Sequence, residues 1–190
     1  MEIGLYFGSF NPIHAGHLII ANHMLNETEL KQIWFIVSPQ NPLKSDQSLL
    51  NAKKRFKLVE ESVAMDKRFV PCDVEFYLPK PSFTVNTLQY LKKEYPGHRF
   101  SIVMGSDSFK SLNQWKNFEF ILDNYRIFIF QRIGFEVDND LTGDIHVLNS
   151  PIIEISSTEI RRLIKAGKSI RYLVPEQARK IIEKKKYYRK

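Results

Sequence analysis

The stretch Glu2-Ile3-Gly4-Leu5-Tyr6-Phe7-Gly8-Ser9-Phe10-Asn11-Pro12-Ile13-His14-Ala15-Gly16-His17 decides the fold. Glu2 to Phe7 is a short run, alternating and then apolar, that stops at Gly8, the pattern of a buried strand ended by a breaker. Gly8 permits a tight turn and close backbone approach, and Asn11-Pro12 is a turn dipeptide. A helical pattern over Leu18 to Leu25 follows directly.

Working outward, Gln32 to Val37 and Phe100 to Met104 repeat the first pattern, ending near Pro39 and at Gly105. Between them lie helical patterns over Lys53 to Met65, with Phe56, Val59 and Val63 on one face, and over Val85 to Leu91 around Leu88. Arg126 to Gln131 and Ile152 to Ile155 read as the later strands, and Ser157 to Lys165 and Glu176 to Tyr187 as the closing helices. Strands alternating with helices imply right-handed crossovers and a parallel sheet covered on both faces, the doubly wound α/β class. The least regular stretches, Ser38 to Leu50, Glu75 to Ser82 and Gly134 to Asp144, are candidates to carry function on that scaffold.

A length of 190 residues fits one domain with a sizeable core, and 43% hydrophobic with 26% charged residues matches ordinary globular proteins. The single cysteine, Cys72, excludes an intramolecular disulfide, and residues 1 to 25 lack the basic start and apolar run of a signal peptide. No stretch approaches the roughly 20 apolar residues of a membrane span, so a cytoplasmic protein without membrane contact is expected. Of the +7 net charge, Lys184, Lys185, Lys186, Arg189 and Lys190 contribute five units with no acid among them. The rest of the chain is nearly neutral, and the basic tail at 184–190 reads as a solvated helix end rather than a nucleic-acid face.

In an open parallel sheet ligands bind beyond the carboxyl ends of the strands, where a helix N-terminus offers N–H groups to phosphate. His14 and His17, three apart at the start of the first helix, share a face, and Gly16 between them leaves room for a ligand. Two incidental histidines or a metal pair are the alternatives. A metal wants a third protein ligand, and no Cys, Asp or Glu lies near this segment. Further on, Ile155-Ser156-Ser157-Thr158-Glu159-Ile160-Arg161-Arg162 follows an apolar run. Ser156 and Glu159 form a capping box, and three hydroxyls followed by arginines also make an anion site.

The segment GSFNPIHAGH resembles the HxGH nucleotidyltransferase superfamily, and the later segment matches its ISSTxIR signature. The resemblance implies a Rossmann-like single domain over residues 1–190 that transfers a nucleotidyl group from ATP with release of pyrophosphate. It implies that Gly8, Ser9, Phe10, His14 and His17 meet ATP, with His17 stabilising charge at the α-phosphate. It assigns Ser156, Ser157, Thr158 and Arg161 to the β- and γ-phosphates. Mg²⁺ would be bound mainly through the phosphates, with no protein metal site.

For the acceptor, Pro81-Ser82-Phe83-Thr84-Val85-Asn86-Thr87-Leu88 is similar to the SYTxDTL segment of bacterial nicotinate-nucleotide adenylyltransferases, which borders the pyridine. Gly105-Ser106-Asp107, with Trp115 eight residues beyond the Asp, resembles that family's GxDxxxxxxxW. Gly105 and Asp107 would meet ATP, with Asp107 binding a ribose, while Trp115 would stack on the pyridine and Ser9, Phe83 and Thr84, the last as a helix N-cap, would complete the acceptor side. The loop Val37-Ser38-Pro39-Gln40-Asn41-Pro42-Leu43-Lys44 departs from the family's VPxxxPPHK at Asn41 and Leu43 but keeps Lys44 as a cation for phosphate. Nicotinate mononucleotide is the expected acceptor. Phosphopantetheine adenylyltransferase and a non-enzymatic nucleotide-binding protein on the same fold are the rivals, and the sequence leaves the oligomeric state open.

Overall fold

Side chains of a strand point alternately to opposite faces, and in this chain both sets are apolar, as in parallel strands covered on two sides. The computed structural model describes residues 1–40, 49–137 and 141–189. Its elements are β1 (Glu2–Gly8), α1 (Ala15–Glu27), β2 (Gln32–Val37), α2 (Ala52–Val63), β3 (Phe69–Cys72), α3 (Thr84–Glu94) and β4 (Arg99–Gly105), then α4 (Ser106–Phe109), α5 (Phe118–Asn124), β5 (Ile127–Phe130), β6 (Ile145–Leu148), α6 (Ser157–Lys165) and α7 (Glu176–Lys185). Short 3-10 turns cover Val74–Phe76 and Leu112–Gln114.

The six strands form one sheet in the order β3-β2-β1-β4-β5-β6, and every neighbouring pair is parallel. Tyr6, Phe35, Val103 and Phe128 point to one face, where α1, α2, α6 and α7 cover them with residues such as Met24, Leu58, Ile160 and Ile182. Leu5, Ile36, Ile102 and Ile129 point to the other, beneath α3, α4 and α5 with Leu88, Phe109 and Ile121. This is the doubly wound, Rossmann-like α/β architecture.

Ile152 to Ile155 is not a strand. The place beside β5 is taken by Ile145–Leu148, in register from Ile127↔Ile145 to Phe130↔Leu148. After β6 the chain turns at Ser150, whose N–H donates to the Leu148 carbonyl at 2.9 Å, and Pro151 removes a donor that a further strand would need. The β3 strand, with Pro71 inside it, was not marked by any apolar run; at a sheet edge a proline is tolerated. The tail is only partly solvated: Lys184, Lys185 and Lys186 are exposed, whereas Tyr187 and Tyr188 pack against the core. Among the described residues no helix is long and apolar enough to cross a membrane.

Candidate active site

From β1 the chain winds outward through β2 to β3, then returns beside β1 as β4 and winds the other way, so β1 and β4 flank a topological switch point. Their carboxyl ends, at Gly8 and Gly105, diverge there and leave a crevice. A cavity of about 550 Å³ occupies it, walled by the loop after β1, the end of β4, Arg132 and the start of α6. A second cavity of about 340 Å³ shares Gly8, Ser9, Asp107 and Trp115 with the first and reaches Glu75, Ser82, Phe83 and Thr84.

The loop after β1 is pinned from several sides. Arg55 of α2, only 1% exposed, donates to the carbonyls of Leu50 (2.7 Å), Ser38 (2.9 Å) and Pro39 (3.1 Å), and also to that of Ser9. Asn11 Oδ1 accepts from the Leu50 N–H at 3.1 Å, and the Ser157 hydroxyl donates to the Pro12 carbonyl at 2.8 Å. The Phe10 ring is 2% exposed and packs edge-on against Tyr6, His17 and Phe35, so this side chain belongs to the core.

His14 caps α1 and His17 occupies its first turn. The imidazoles stack, with ring centroids 3.6 Å apart and planes 28° apart. The His14 backbone N–H donates to His17 Nδ1 at 3.2 Å, which leaves the His17 proton on Nε2. Burial, reinforced by Arg132, pulls the His14 pKa down to about 4, so its imidazole is neutral at physiological pH. Gly16 is required by this packing: a Cβ there would lie 2.7 Å from Ile153 Cγ2 and 3.0 Å from His14 Nδ1. The irregular segment after β6 thus presses Ile153 onto the start of α1.

At α6 the Ser156 hydroxyl accepts from the Glu159 N–H at 3.2 Å, one half of a capping box. Glu159 does not complete it, because both its oxygens take the Arg162 guanidinium at 2.6 and 2.7 Å. Arg161 turns the opposite way, donating to the Asn11 carbonyl at 2.8 Å and to Thr158 Oγ1 at 3.3 Å, at the wall of the larger cavity. Ser156, Ser157, Thr158 and Arg161 are therefore brought against His14 and His17 from 139 or more positions away in the chain.

Across the crevice Asp107, in α4, accepts from Arg132 Nη1 at 3.2 Å through one carboxylate oxygen. Gly105 makes space for the pair, since a Cβ there would meet Asp107 Oδ1 at 2.4 Å and Arg132 Cδ at 2.9 Å. Trp115 lies where both cavities join. Thr84 is not the N-cap: Phe83 occupies that position, with no side-chain cap bond, and Thr84 is the first helical residue of α3. Its hydroxyl still lines the smaller cavity beside Phe83. Lys44 lies outside the described residues.

Six buried side-chain atoms here have no hydrogen-bond partner: Ser9 Oγ, His14 Nδ1, Glu75 Oε2, Ser82 Oγ, Asp107 Oδ1 and Trp115 Nε1. All six residues line one or both cavities. Orphaned polar atoms are few in folded proteins, and their concentration on one crevice marks groups held ready for a polar ligand. Only four others, on His23, His98, Tyr125 and Tyr188, lie elsewhere among the described residues.

Arg132 and Glu75 escaped the reading of the sequence. Arg132 had one available signal, a cation two residues beyond the end of a parallel strand, where ligands gather. Glu75 had none, because its burial follows from long-range packing. Among the described residues no three His, Cys, Asp or Glu side chains converge on a point that suits a metal ion.

Residues 5–163 match the cytidylyltransferase-like family. The chain is 48% identical to a protein of Flavobacterium johnsoniae called "Probable nicotinate-nucleotide adenylyltransferase", over 100% of both chains. It is 45% identical to one of Cytophaga hutchinsonii under the same description, over 99% of this chain and 98% of the other. Its fold superposes with a TM-score of 0.82 on Plasmodium falciparum nicotinic acid mononucleotide adenylyltransferase complexed with NaAD, at 20% identity, covering 98% of this chain and 97% of that one. A parallel sheet in the order 3-2-1-4-5-6, the paired histidines at its switch point and these full-length identities make the chain a member of the nicotinate-nucleotide adenylyltransferases, within the cytidylyltransferase-like family.

Proposed function

We infer that the protein transfers AMP from ATP to the phosphate of nicotinate mononucleotide, forming nicotinate adenine dinucleotide and pyrophosphate in NAD biosynthesis. The observation that carries this reading is the convergence of two helix starts, at His14–His17 and Ser156–Arg161, on one cavity that joins a second one at Asp107 and Trp115. One compartment suits a triphosphate and the other a flat pyridine ring.

A phosphate oxygen of the acceptor attacks the α-phosphorus of ATP in line, while the bond from that phosphorus to the bridging α,β-oxygen breaks and pyrophosphate leaves. The attacking phosphate is already an anion, so no general base is needed, and catalysis rests on positioning and charge stabilisation. His17, with its proton on Nε2, donates toward the α-phosphate as negative charge builds there. His14 stays neutral and serves as a second hydrogen-bond partner, and its stacking fixes the His17 ring. Ser156, Ser157, Thr158 and the α6 N-terminus take the β- and γ-phosphates, and Arg161 neutralises the departing pyrophosphate. Asp107 Oδ1 accepts from ribose hydroxyls, Trp115 stacks on the pyridine, and Ser9, Phe83 and Thr84 complete that wall. Magnesium would arrive with ATP and would neutralise phosphate charge as pyrophosphate departs.

Purified protein incubated with ATP, magnesium and one acceptor at a time, followed by pyrophosphate release, tests the reading. Turnover with nicotinate mononucleotide is expected. Turnover only with phosphopantetheine, or with no acceptor at all, would overturn it.

A further inference from the structure

Glu75 sits in the 3-10 turn Val74–Phe76 and is 2% exposed. Its Oε1 accepts from the Thr87 hydroxyl of α3 at 2.9 Å, and its Oε2 is buried without a partner in the wall of the smaller cavity. Among the described residues no cation is paired with it. A buried carboxylate without a counter-charge is expensive, so the protonated form, which carries a donor, is favoured. Burial pushes its pKa up, and the nearby hydroxyls of Ser38, Thr87 and Ser82 hold the rise back. Around the same cavity stand the start of α3, Ser82 Oγ and Trp115 Nε1, the last two also unpartnered.

We propose that Glu75 reads the substituent on the acceptor's pyridine ring: protonated, Oε2 donates to the carboxylate of nicotinate mononucleotide, and ionised, it repels that carboxylate and accepts from the amide of nicotinamide mononucleotide. The proposal rests on the acceptor assigned above and makes Glu75 a specificity-determining residue. The preference for acid over amide then depends on one proton. Below the Glu75 pKa the carboxylate is bound; as pH rises through it, the acid loses ground to the amide.

Other titratable groups lie nearby: Asp107 on α4 and Lys116 after the second 3-10 turn line the cavity, Asp73 is two positions before Glu75, and Cys72 on β3, whose thiol burial pushes up to about 11, stays neutral. The phosphates of ATP and of the mononucleotide also titrate. Both acceptors share all of these, so the ratio of their kcat/KM values isolates the substituent. Glu75→Gln keeps an oxygen for Thr87 and sets an NH₂ donor at the Oε2 position at every pH.

The experiment measures that ratio across the pH range in which the protein stays folded and active, since burial raises the Glu75 pKa. In the unaltered protein the acid-to-amide ratio should fall, approaching tenfold per pH unit above the Glu75 pKa. In Glu75→Gln it should change by less than about twofold over the whole range. A flat ratio in the unaltered protein, or an equal slope in the variant, would overturn the proposal. Should the variant fold poorly, calorimetry of the unaltered protein in two buffers of different ionisation enthalpy decides. Proton uptake on binding the acid mononucleotide but not the amide supports the proposal, and equal uptake overturns it. Absence of turnover with both mononucleotides would instead overturn the acceptor assignment beneath it.

Discussion

Replacing Gly16 by alanine separates folding from catalysis in one methyl group. The new Cβ would lie 2.7 Å from Ile153 Cγ2, 3.0 Å from His14 Nδ1 and 3.2 Å from His14 Cε1. Restoring ordinary contact distances requires shifts of about 0.5–1 Å in these groups. Overpacking of this kind costs about 1–3 kcal/mol. Alanine regains up to about 1 kcal/mol of helix propensity over glycine. Stability should therefore fall by no more than about 2 kcal/mol, and the protein should stay folded. Catalysis should suffer more, because the His14 ring that is displaced is stacked on His17 at 3.6 Å. A misplacement near 1 Å costs roughly 10²-fold, so kcat for pyrophosphate release should drop by about that factor. Measured together, a thermal melt close to the unaltered protein and a kcat down about a hundredfold would fit. A kcat within threefold would show that the histidine pair does not need this geometry, and the reasoning would fail.

Removing the His17 side chain (His17→Ala) should lower kcat by roughly 10²–10³ with a smaller change in ATP binding, measured by steady-state kinetics and calorimetry. Arg161→Ala should reduce kcat/KM for ATP by roughly tenfold or more, and an unchanged ATP dependence would confine Arg161 to bracing the Asn11 carbonyl. Arg55→Ala leaves four carbonyls, that of Ser38 buried and the others part-buried, without their donor, and its denaturation midpoint should report a loss of about 3–5 kcal/mol. The His14 pKa, lowered to about 4 by burial and then by Arg132, carries a defined sign. The unfolded chain takes up the proton near pH 6.5 while the folded one resists, so stability is lost as pH falls from about 6.5 toward 4, on the order of 3 kcal/mol. Denaturant titrations of the protein and of His14→Gln across that window should show the difference, and parallel curves would contradict it.

The central strands were legible because burial on both faces leaves unbroken apolar runs: Gln32 to Val37 was read with the bounds it has in the fold. The edges were not. β3 is half-buried along its length and interrupted by Pro71, and β6 has exposed His146 and Val147 side by side at its centre, so neither gives a run that stands out. Ile152 to Ile155 looked more like a strand than the true one, but serves as a wall over Gly16. Groups announced by local chemistry line the larger cavity: histidines at a helix start, hydroxyls at another, an Asp just after a strand end. Groups whose role comes from distant packing were not legible. Arg132 meets Asp107 across 25 positions, and Glu75 reaches Thr87 across 12. The Thr84 hydroxyl suits a cap, yet the backbone enters the helix one residue earlier, at Phe83.

The fate of the phosphorus atoms of ATP tests the account most directly. With ATP labelled at the α-phosphorus and nicotinate mononucleotide as acceptor, all transferred label should appear in the dinucleotide. With ATP labelled at the γ-phosphorus, it should appear only in pyrophosphate. Label from the γ-position in the acceptor would reveal a kinase, and α-label that stays in free nucleotide would mean that no adenylyl transfer takes place.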